Sequence, residues 1–392
     1  MQLNSPHLAL APDDRLRSID CVRGLALFGV LAINLETEFR VSIFTQFMPS
    51  AVNRGVDGFI DATLFIFLQN KAFALFSLLF GVGLAIQFER LATSDRRAIL
   101  LMRRLLALLV FGLIHMIFVW NGDTLTEYAV AGMVVVPLLY CRPTGLAVGA
   151  AGSFAVYLFL QFFPKFVPFP DAAWLGKHVA AAVQTYGSGD YGQVLNFRIR
   201  ELPAIFPLHL YVFPRTLALM LLGALVWRMG LFKDVRKLGV LPLASGALIA
   251  AGLLLTLGST TGAYSGWPQF VVTLGTALAP VLLATGYLAL ILVAYGLGHV
   301  RRGLAWIESL GRMAFTNYVL QSIVLGFIFY GYGLGLFGRL SLIEGLIIVM
   351  MLYITQSMAS HFWLKRFRYG PLEWMWRTAT YGFAPPLLRS TP

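Results

Sequence analysis

The chain has 392 residues, of which 58% are hydrophobic and only 12% are charged, and its mean hydropathy is +0.75. A soluble domain carries about 25% charged residues, so this composition excludes a soluble enzyme with a single anchor and indicates a polytopic membrane protein. The formal net charge of +12 does not indicate nucleic-acid binding, because the basic residues lie in short clusters between apolar runs. Membrane orientation produces that pattern.

Apolar runs of spanning length predict an all-α bundle of about ten transmembrane helices, in one integral membrane domain covering residues 1–392. The predicted spans are 19–38, 60–88, 100–120, 126–141, 144–163, 205–228, 238–258, 269–297, 313–334 and 340–363. The second run is long enough to be bent or broken near Gln69, Asn70 and Lys71. Most of the 30 lysines and arginines fall in inner segments if the N-terminus is inside. This asymmetry predicts that both termini are cytoplasmic.

Three longer segments are predicted to lie outside the spans. Residues 1–18 form a cytoplasmic tail, and residues 164–204 form an extracytoplasmic loop. That loop carries one short amphipathic helix, DAAWLGKHVAAAV, before a glycine-rich break. Residues 365–392 mix arginine with tryptophan and tyrosine, which predicts a cytoplasmic segment lying along the lipid headgroups.

The first span carries a polar stripe. Asp20 and Arg23 are three residues apart and therefore share a helix face. Asn34 lies almost three whole turns beyond Arg23, on the same stripe. An ionised side chain deep in hydrocarbon costs roughly 2.5–3.5 kcal/mol, so we expect the stripe to face protein or water. The alternative is that Arg23 only anchors the helix at the inner leaflet.

The third span carries a second stripe. Arg103 and Arg104 stand at its cytoplasmic start, and His115 lies nearly three turns beyond Arg104 on the same face. Asp123 follows just past the helix end. An ionisable residue within the membrane is a functional candidate. Membrane orientation alone also explains the two arginines, and an interhelical hydrogen bond also explains the histidine.

Other polar residues within predicted spans are Lys71, Asn317 and Gln321. They are candidates for substrate binding. Lys71 is alternatively a member of a structural ion-pair set, and the two amides alternatively join neighbouring helices by hydrogen bonds. The sequence contains no Walker loop, no GxGxxG motif after a strand and no HExxH motif, so we expect no metal.

Five stretches together resemble one family. They are RSIDCVRGLALFGVLAIN, KAFALFSLLFGVG, RRLLALLVFGLIHMIFVWNGDTLTEYAVAG, GRMAFTNYVLQS and WLKRFRYGPLEWMWR, and they occur in order over nearly the whole chain. They are similar to the signatures of the DUF418, or YeiB-like, bacterial membrane proteins, with Thr124 where isoleucine is usual. The resemblance implies a multi-pass protein of the bacterial cytoplasmic membrane.

That family in turn resembles, more distantly, the transmembrane acyltransferases that include heparan-glucosaminide N-acetyltransferase. The resemblance implies transfer of an acyl group from a cytoplasmic acyl-CoA to an extracytoplasmic glycan or lipid-linked acceptor. Relatives in the heparan branch use a histidine in the first extracytoplasmic loop. This chain has no histidine between Asn34 and Lys71, and His115 is the candidate to replace it.

The two stripes fit that chemistry. Guanidinium groups bind phosphates bidentately, so Arg23, Arg103 and Arg104, with Asp20 beside them, are candidates to bind CoA. His115 lies about 16 Å along its helix from Arg104, which is comparable to the reach of a pantetheine arm. It is the candidate general base or transient acyl carrier, with Asp123 fixing its tautomer.

Asn34 or Asn317 is the candidate donor to the oxyanion. The competing hypothesis is a transporter or lipid-binding membrane protein without acyl transfer. It makes Asp61, Lys71 and Glu344 coupling residues in discontinuous helices. The sequence shows no inverted repeat, which disfavours that hypothesis. A scaffold or sensor is a third possibility. The sequence leaves a homo-oligomer open.

Overall fold

A computed structural model describes residues 17–48, 55–230, 241–260, 264–296 and 303–389. Most of this part of the chain is helical. The helices are α1 (Arg17–Asn34), α2 (Gly55–Phe67), α3 (Lys71–Arg90), α4 (Arg97–Ile114), α5 (Leu125–Leu138), α6 (Pro143–Phe162), α7 (Ala172–Ser188), α8 (Tyr191–Arg228), α9 (Leu241–Thr260), α10 (Gln269–Gly296), α11 (Ala305–Arg312), α12 (Ala314–Phe329), α13 (Leu342–Arg366) and α14 (Pro371–Tyr381). Two π-helical turns, Leu35–Phe39 and His115–Val119, extend α1 and α4.

Eight segments of the described chain are long and apolar enough to cross a membrane. They are Arg17–Phe39, Gly55–Arg90, Arg97–Val119, Pro143–Phe162, Tyr191–Arg228, Leu241–Ser259, Gln269–Tyr295 and Leu342–Arg366. The bent pair of α11 and α12 makes a ninth if it counts as one span. The predicted all-α transmembrane bundle is confirmed. The number ten is not, because α5 has 14 residues and a span needs about 20.

Helix α1 lies in the interior of the bundle: 78% of the residues in the apolar stretch of Arg17–Phe39 are buried. It packs closely on α11. A Cβ atom added to Gly311 would lie 1.8 Å from the carbonyl oxygen of Asp20, so only glycine permits this approach. Asp20 and Asn34 are both buried. The polar stripe of α1 therefore faces protein, as the cost of charge in lipid requires.

The break predicted near residues 69–71 is present between α2 and α3. Asn70 has φ of +63°, the left-handed conformation that interrupts a helix. Lys71 begins α3, and its Nζ donates to the carbonyl oxygen of Phe65 at 2.6 Å. The ammonium group therefore satisfies a free carbonyl at the end of α2.

The segment predicted as the loop 164–204 is largely helical, which corrects that prediction. The amphipathic helix is confirmed as α7, and the break falls at Gly189. After the break α8 begins at Tyr191, rather than near residue 205, and runs for 38 residues. Asp190 and Gln193 form a reciprocal cap at its start, and this cap fixes where the helix begins.

The C-terminal helix α14 docks on the ends of other helices. Trp376 donates its Nε1–H to the carbonyl oxygen of Arg104 at 2.7 Å. Glu373 accepts hydrogen bonds from the backbone N–H groups of Phe315 and Thr316, at 2.9 and 3.1 Å. It thereby caps the first turn of α12. The segment from residue 365 is thus packed against the bundle. Residues 1–16 of the predicted tail, and residues 390–392, lie outside the described residues.

Candidate functional site

Two cavities lie within the described bundle. We call the first, of about 180 Å³, the arginine cavity, because Arg23, Arg104, Arg312 and Arg377 line it. We call the second, of about 420 Å³, the histidine cavity, because His209 lines it together with Glu127 and other polar residues.

Helix α1 and its π-helical turn line both cavities. Arg23, Leu27 and Val30 face the arginine cavity, and Ile33, Thr37 and Glu38 face the histidine cavity. The steps of three or four residues between most of them are those of one helix face. The helix with the polar stripe therefore connects the two sites.

Three residues line both cavities, and we call them the septum: Phe73, Thr124 and Tyr128. The hydroxyl group of Tyr128 donates to the carbonyl oxygen of Phe73 at 3.2 Å and lies 3.3 Å from the hydroxyl oxygen of Ser77. These bonds hold α5 against α3. The short helix α5 begins at the septum, so non-helical backbone lies within the bundle, where cavities and side chains satisfy its polar groups.

The arginine cavity brings together Arg23 and Arg104, as the two stripes predict. Arg23 lies 3.2 Å from the carboxylate of Asp20, which is buried and orients the guanidinium. The guanidinium carbon of Arg104 lies 3.6 Å from the ring centroid of Trp376 on α14. Cation–π contact of this kind helps to hold the guanidinium group in place.

Two further arginines were not identified from the sequence: Arg312, at the bend between α11 and α12, and Arg377 on α14. The carboxyl group of Glu373 also lines this cavity. Burial raises the pKa of this carboxyl above its ordinary value of 4.5. The lining of the cavity is therefore strongly basic and suited to an anion.

The structure does not bring Arg103 into this cavity. Its side chain is exposed, and its Nη2 donates to the carbonyl oxygen of Ala379 at 3.3 Å. Adjacent residues on a helix point about 100° apart, so Arg103 and Arg104 cannot share a face. Arg103 instead joins α4 to α14.

His115 and Asp123 form a buried pair. Nδ1 of the imidazole lies 2.9 Å from Oδ1 of the carboxylate, and their exposed fractions are 2% and 0%. The other oxygen of Asp123 accepts from the backbone N–H of Thr126 at 2.7 Å. With Nδ1 donating, Nε2 carries the lone pair. Among the described residues Nε2 has no hydrogen-bond partner.

His115 does not itself line a cavity, since aromatic rings surround it. Its ring centroid lies 5.3 Å from that of Tyr318 and 6.2 Å from that of Trp120. The hydroxyl oxygen of Tyr318 accepts from the N–H of Thr124 at 3.3 Å. Both Tyr318 and Thr124 line the arginine cavity, so His115 lies one side chain behind it.

The remaining predicted site residues have structural partners or are enclosed. Lys71 caps α2, as described above, and lines neither cavity. Asn317 donates to the hydroxyl oxygen of Ser360 at 2.9 Å, and Gln321 donates to Gln356 at 2.8 Å. These bonds join α12 to α13, as in the alternative prediction for these amides. Asn34 is buried, and its side-chain oxygen has no partner within the described chain.

The histidine cavity contains a second pair, which we did not identify from the sequence. Nδ1 of His209 on α8 lies 3.1 Å from Oε2 of Glu127 on α5. Oε1 of Glu127 accepts from the hydroxyl group of Thr216 at 2.5 Å. Nearby, Arg215 donates to Asn70 at 3.3 Å. The rule that identified His115, an ionisable residue inside a span, also applies to His209.

A buried cluster supports the chain between α4 and α5. Glu201 on α8 accepts from Asn121, at 2.5 Å, and from the hydroxyl of Tyr186 and Nε2 of His178, each at 2.7 Å. Burial raises the pKa of Tyr186, so the phenol stays protonated and donates. Asn121 lies two residues before Asp123, and the cluster therefore helps to position the His115 pair.

In the described part of the chain no group of three or more histidine, cysteine, aspartate or glutamate side chains is arranged to hold a metal ion. No solved structure matches the chain significantly.

The sequence has full-length relatives in bacteria. A protein of Bacillus subtilis (strain 168), "Uncharacterized protein YxaH", is 32% identical over 400 residues, which cover 97% of each chain. "Uncharacterized protein YeiB" of Escherichia coli (strain K12) is 29% identical over 401 residues, covering 96% of this chain and 99% of that protein. The profile described as "Protein of unknown function (DUF418)" matches residues 226–383. With its apolar helical bundle, the chain is therefore a membrane protein that belongs to the DUF418, or YeiB-like, family.

Proposed function

We propose that this protein is an acyltransferase of the bacterial cytoplasmic membrane. It moves an acyl group from a cytoplasmic acyl-CoA to an extracytoplasmic glycan or lipid-linked acceptor. The observation that carries the proposal is the pair of cavities on either side of the septum. One is basic and suited to a phosphate-bearing donor, and the other contains hydrogen-bonding groups suited to a polar acceptor.

The donor binds in the arginine cavity. Guanidinium groups match phosphate oxygens bidentately, and Arg23, Arg104 and Arg377 supply three of them. Beyond the arginines the cavity is lined by apolar side chains of α1 and α3, among them Leu27 and Phe76, which suit the pantetheine arm and the acyl group. The Lys/Arg distribution of the sequence supports a cytoplasmic position for this cavity.

His115 acts at the end of the donor path. Because Asp123 holds its Nδ1, the lone pair on Nε2 is available either to accept a proton from the acceptor or to take the acyl group from the thioester. Tyr318 and Thr124 separate it from the cavity, so the reaction requires these side chains to move. Asn34 lines neither cavity, and only its amide N–H₂ group, not its unpartnered oxygen, suits the role of donor to the oxyanion.

The transporter hypothesis receives less support. It requires Asp61, Lys71 and Glu344 to act as coupling residues, and two of them have a structural role in the fold. Lys71 instead donates to the end of α2, and Glu344 caps α13 through Ser341, with a hydrogen bond of 2.7 Å to the hydroxyl group. Charged groups that complete helix ends have a structural role already.

The experiment compares two adjacent arginines. Purified protein in lipid nanodiscs is titrated with labelled acetyl-CoA, for the wild type, Arg104→Ala and Arg103→Ala. Loss of a charge-assisted hydrogen bond costs about 1.5–3 kcal/mol, so we expect Arg104→Ala to weaken binding about 10- to 100-fold. Arg103→Ala, which lies outside the cavity, should bind as the wild type does.

Acyl transfer is then followed as release of free CoA thiol. We expect His115→Gln to retain acetyl-CoA binding and to lose thiol release. A wild-type protein that binds neither acetyl-CoA nor longer acyl-CoA molecules contradicts the proposal. Equal binding losses in the two arginine variants contradict the donor site.

A further inference from the structure

The histidine cavity holds an imidazole that is open to a ligand. His209 has 28% of its side chain exposed, whereas His115 has 2%. His209 lines the histidine cavity directly, and His115 lines neither cavity. Of these two histidines, His209 is thus the one that a molecule in the larger cavity can touch without movement of another side chain.

Glu127 fixes the orientation of this imidazole. One carboxylate oxygen lies 3.1 Å from Nδ1 of His209, and the other accepts from the hydroxyl group of Thr216. Glu127 itself is nearly buried. With Nδ1 donating to Glu127, the lone pair is on Nε2, and no described residue bonds to that atom. A carboxylate that holds an imidazole in one tautomer is the arrangement of a general base.

The surroundings of His209 indicate the kind of ligand. Three amide side chains line the cavity, and each offers both a donor and an acceptor: Gln46, Gln69 and Asn70. Aromatic rings line it as well: Phe47, Phe169 and Tyr211. Two acidic side chains, Glu38 and Glu127, line it together with the basic Arg215, so the lining favours neither a cation nor an anion. Amides together with aromatic faces suit a neutral sugar, whose hydroxyl groups form hydrogen bonds and whose C–H faces pack on rings.

We propose that His209, oriented by Glu127, is the general base that deprotonates a sugar hydroxyl group of the acceptor. This proposal rests on the acyltransferase function proposed above. The hydroxyl O–H bond breaks, and its proton passes to Nε2 of His209. The oxygen bonds to the acyl carbon, and the bond from that carbon to Nε2 of His115, which took the acyl group from the CoA sulfur, breaks. His115 leaves as the neutral imidazole with its proton still on Nδ1, and His209 gives its proton to the CoA thiolate.

The competing explanation is that Glu127, His209 and Thr216 only tie α5 to α8. A structural tie predicts that its loss affects every acyl acceptor equally. A general base predicts a selective loss, because hydroxylamine is a strong neutral nucleophile that needs little assistance in losing a proton, whereas a sugar hydroxyl needs a great deal.

The experiment measures CoA release from acetyl-CoA in nanodiscs with methyl glucoside or with hydroxylamine as acceptor. The variants are His209→Gln and Glu127→Gln, with His361→Gln as the control. His361 packs on Trp306 at a ring-centroid distance of 5.2 Å and lines neither cavity. We expect both cavity variants to lose about 100-fold or more with methyl glucoside and to stay within about threefold of wild type with hydroxylamine. The control should match wild type with both acceptors.

Glu127→Gln tests the same idea with the imidazole in place, and it keeps the proposal testable if His209→Gln does not fold. Its amide N–H₂ group would face Nδ1 and move the ring proton to Nε2. Equal losses with both acceptors, or full activity of the folded variants with methyl glucoside, overturn the role of His209. If the wild type is active with hydroxylamine but not with methyl glucoside, the proposal that the acceptor is a sugar is overturned. A wild type that binds neither acetyl-CoA nor longer acyl-CoA molecules overturns the acyltransferase proposal itself, and this inference with it.

Discussion

Asp123 is the residue whose replacement tests the site most directly. Its carboxylate accepts from Nδ1 of His115 and from the backbone N–H of Thr126, and its exposed fraction is 0%. Asp123→Ala removes both acceptors and leaves two buried donors without partners. Each such donor costs about 1–3 kcal/mol, so we expect a loss of about 2–6 kcal/mol in the free energy of unfolding.

Asp123→Asn separates stability from chemistry. The amide oxygen still accepts from Thr126, but the N–H₂ group faces Nδ1 of His115 and forces the ring proton onto Nε2. We expect a smaller loss, about 1.5–3 kcal/mol for one charge-assisted hydrogen bond. The lone pair on Nε2 disappears, and so CoA release should fall as far in Asp123→Asn as in Asp123→Ala.

The measurements are the midpoint of thermal unfolding in one detergent and the rate of CoA release. The control is Asp171→Asn, because Asp171 also accepts from a backbone N–H, that of Trp174 at 2.7 Å, but at an exposed helix start. We expect the midpoints to rank wild type and Asp171→Asn above Asp123→Asn, and Asp123→Ala lowest. If Asp123→Ala has the same unfolding midpoint as the wild type, the buried contacts of Asp123 do not exist as described. If Asp123→Asn retains activity, the tautomer argument is refuted.

Gly112→Ala places a Cβ 2.7 Å from a backbone nitrogen of α5, so it should cost about 1–3 kcal/mol, while Gly152→Ala, with open space around it, should not lower the unfolding midpoint. Burial raises the pKa of Glu373, so the native state holds its proton more tightly than the unfolded state does. Stability should therefore fall as pH rises above about 4.5 in wild type, and Glu373→Gln should flatten this slope. Gln321→Leu combined with Gln356→Leu should retain acetyl-CoA binding and lie within about 1 kcal/mol of wild type, because both partners are removed together. Unfolding midpoints at several pH values and acetyl-CoA titrations check these outcomes. A steeper fall of stability with pH in Glu373→Gln contradicts the argument for Glu373. Loss of acetyl-CoA binding in the double glutamine variant contradicts the structural role of that pair.

Helix-face arithmetic predicted the parts of the site that lie on single helices. The α1 stripe is buried because a charge in hydrocarbon is costly, and the spacing of Arg104 and His115 places them along one face of α4. The same arithmetic cannot tell which neighbour a face meets. It therefore did not distinguish a cavity from the α12–α13 interface for Asn317 and Gln321.

Contacts between segments that are distant along the chain could not be predicted from the sequence. Glu127 and His209 meet only because α5 packs on α8, and neither residue has a polar partner nearby in the chain. The predicted start of α5, residue 126, lies within one residue of the observed Leu125, but the predicted end, residue 141, lies three residues beyond Leu138. Apolar residues continue to Cys141, whereas the helix ends before Pro143, which begins α6.

The septum has an electrical consequence. Since Phe73, Thr124 and Tyr128 line both cavities, one layer of side chains separates two spaces that can hold water. A voltage across a membrane falls mainly where water is excluded, so with the two cavities open to opposite sides, as the proposed function requires, it would concentrate on that layer. One elementary charge crossing 100 mV exchanges about 2.3 kcal/mol with the field. In the proposed reaction the phosphates of CoA stay on the arginine side and the acyl group is neutral, so its passage would be neither driven nor opposed by the membrane voltage.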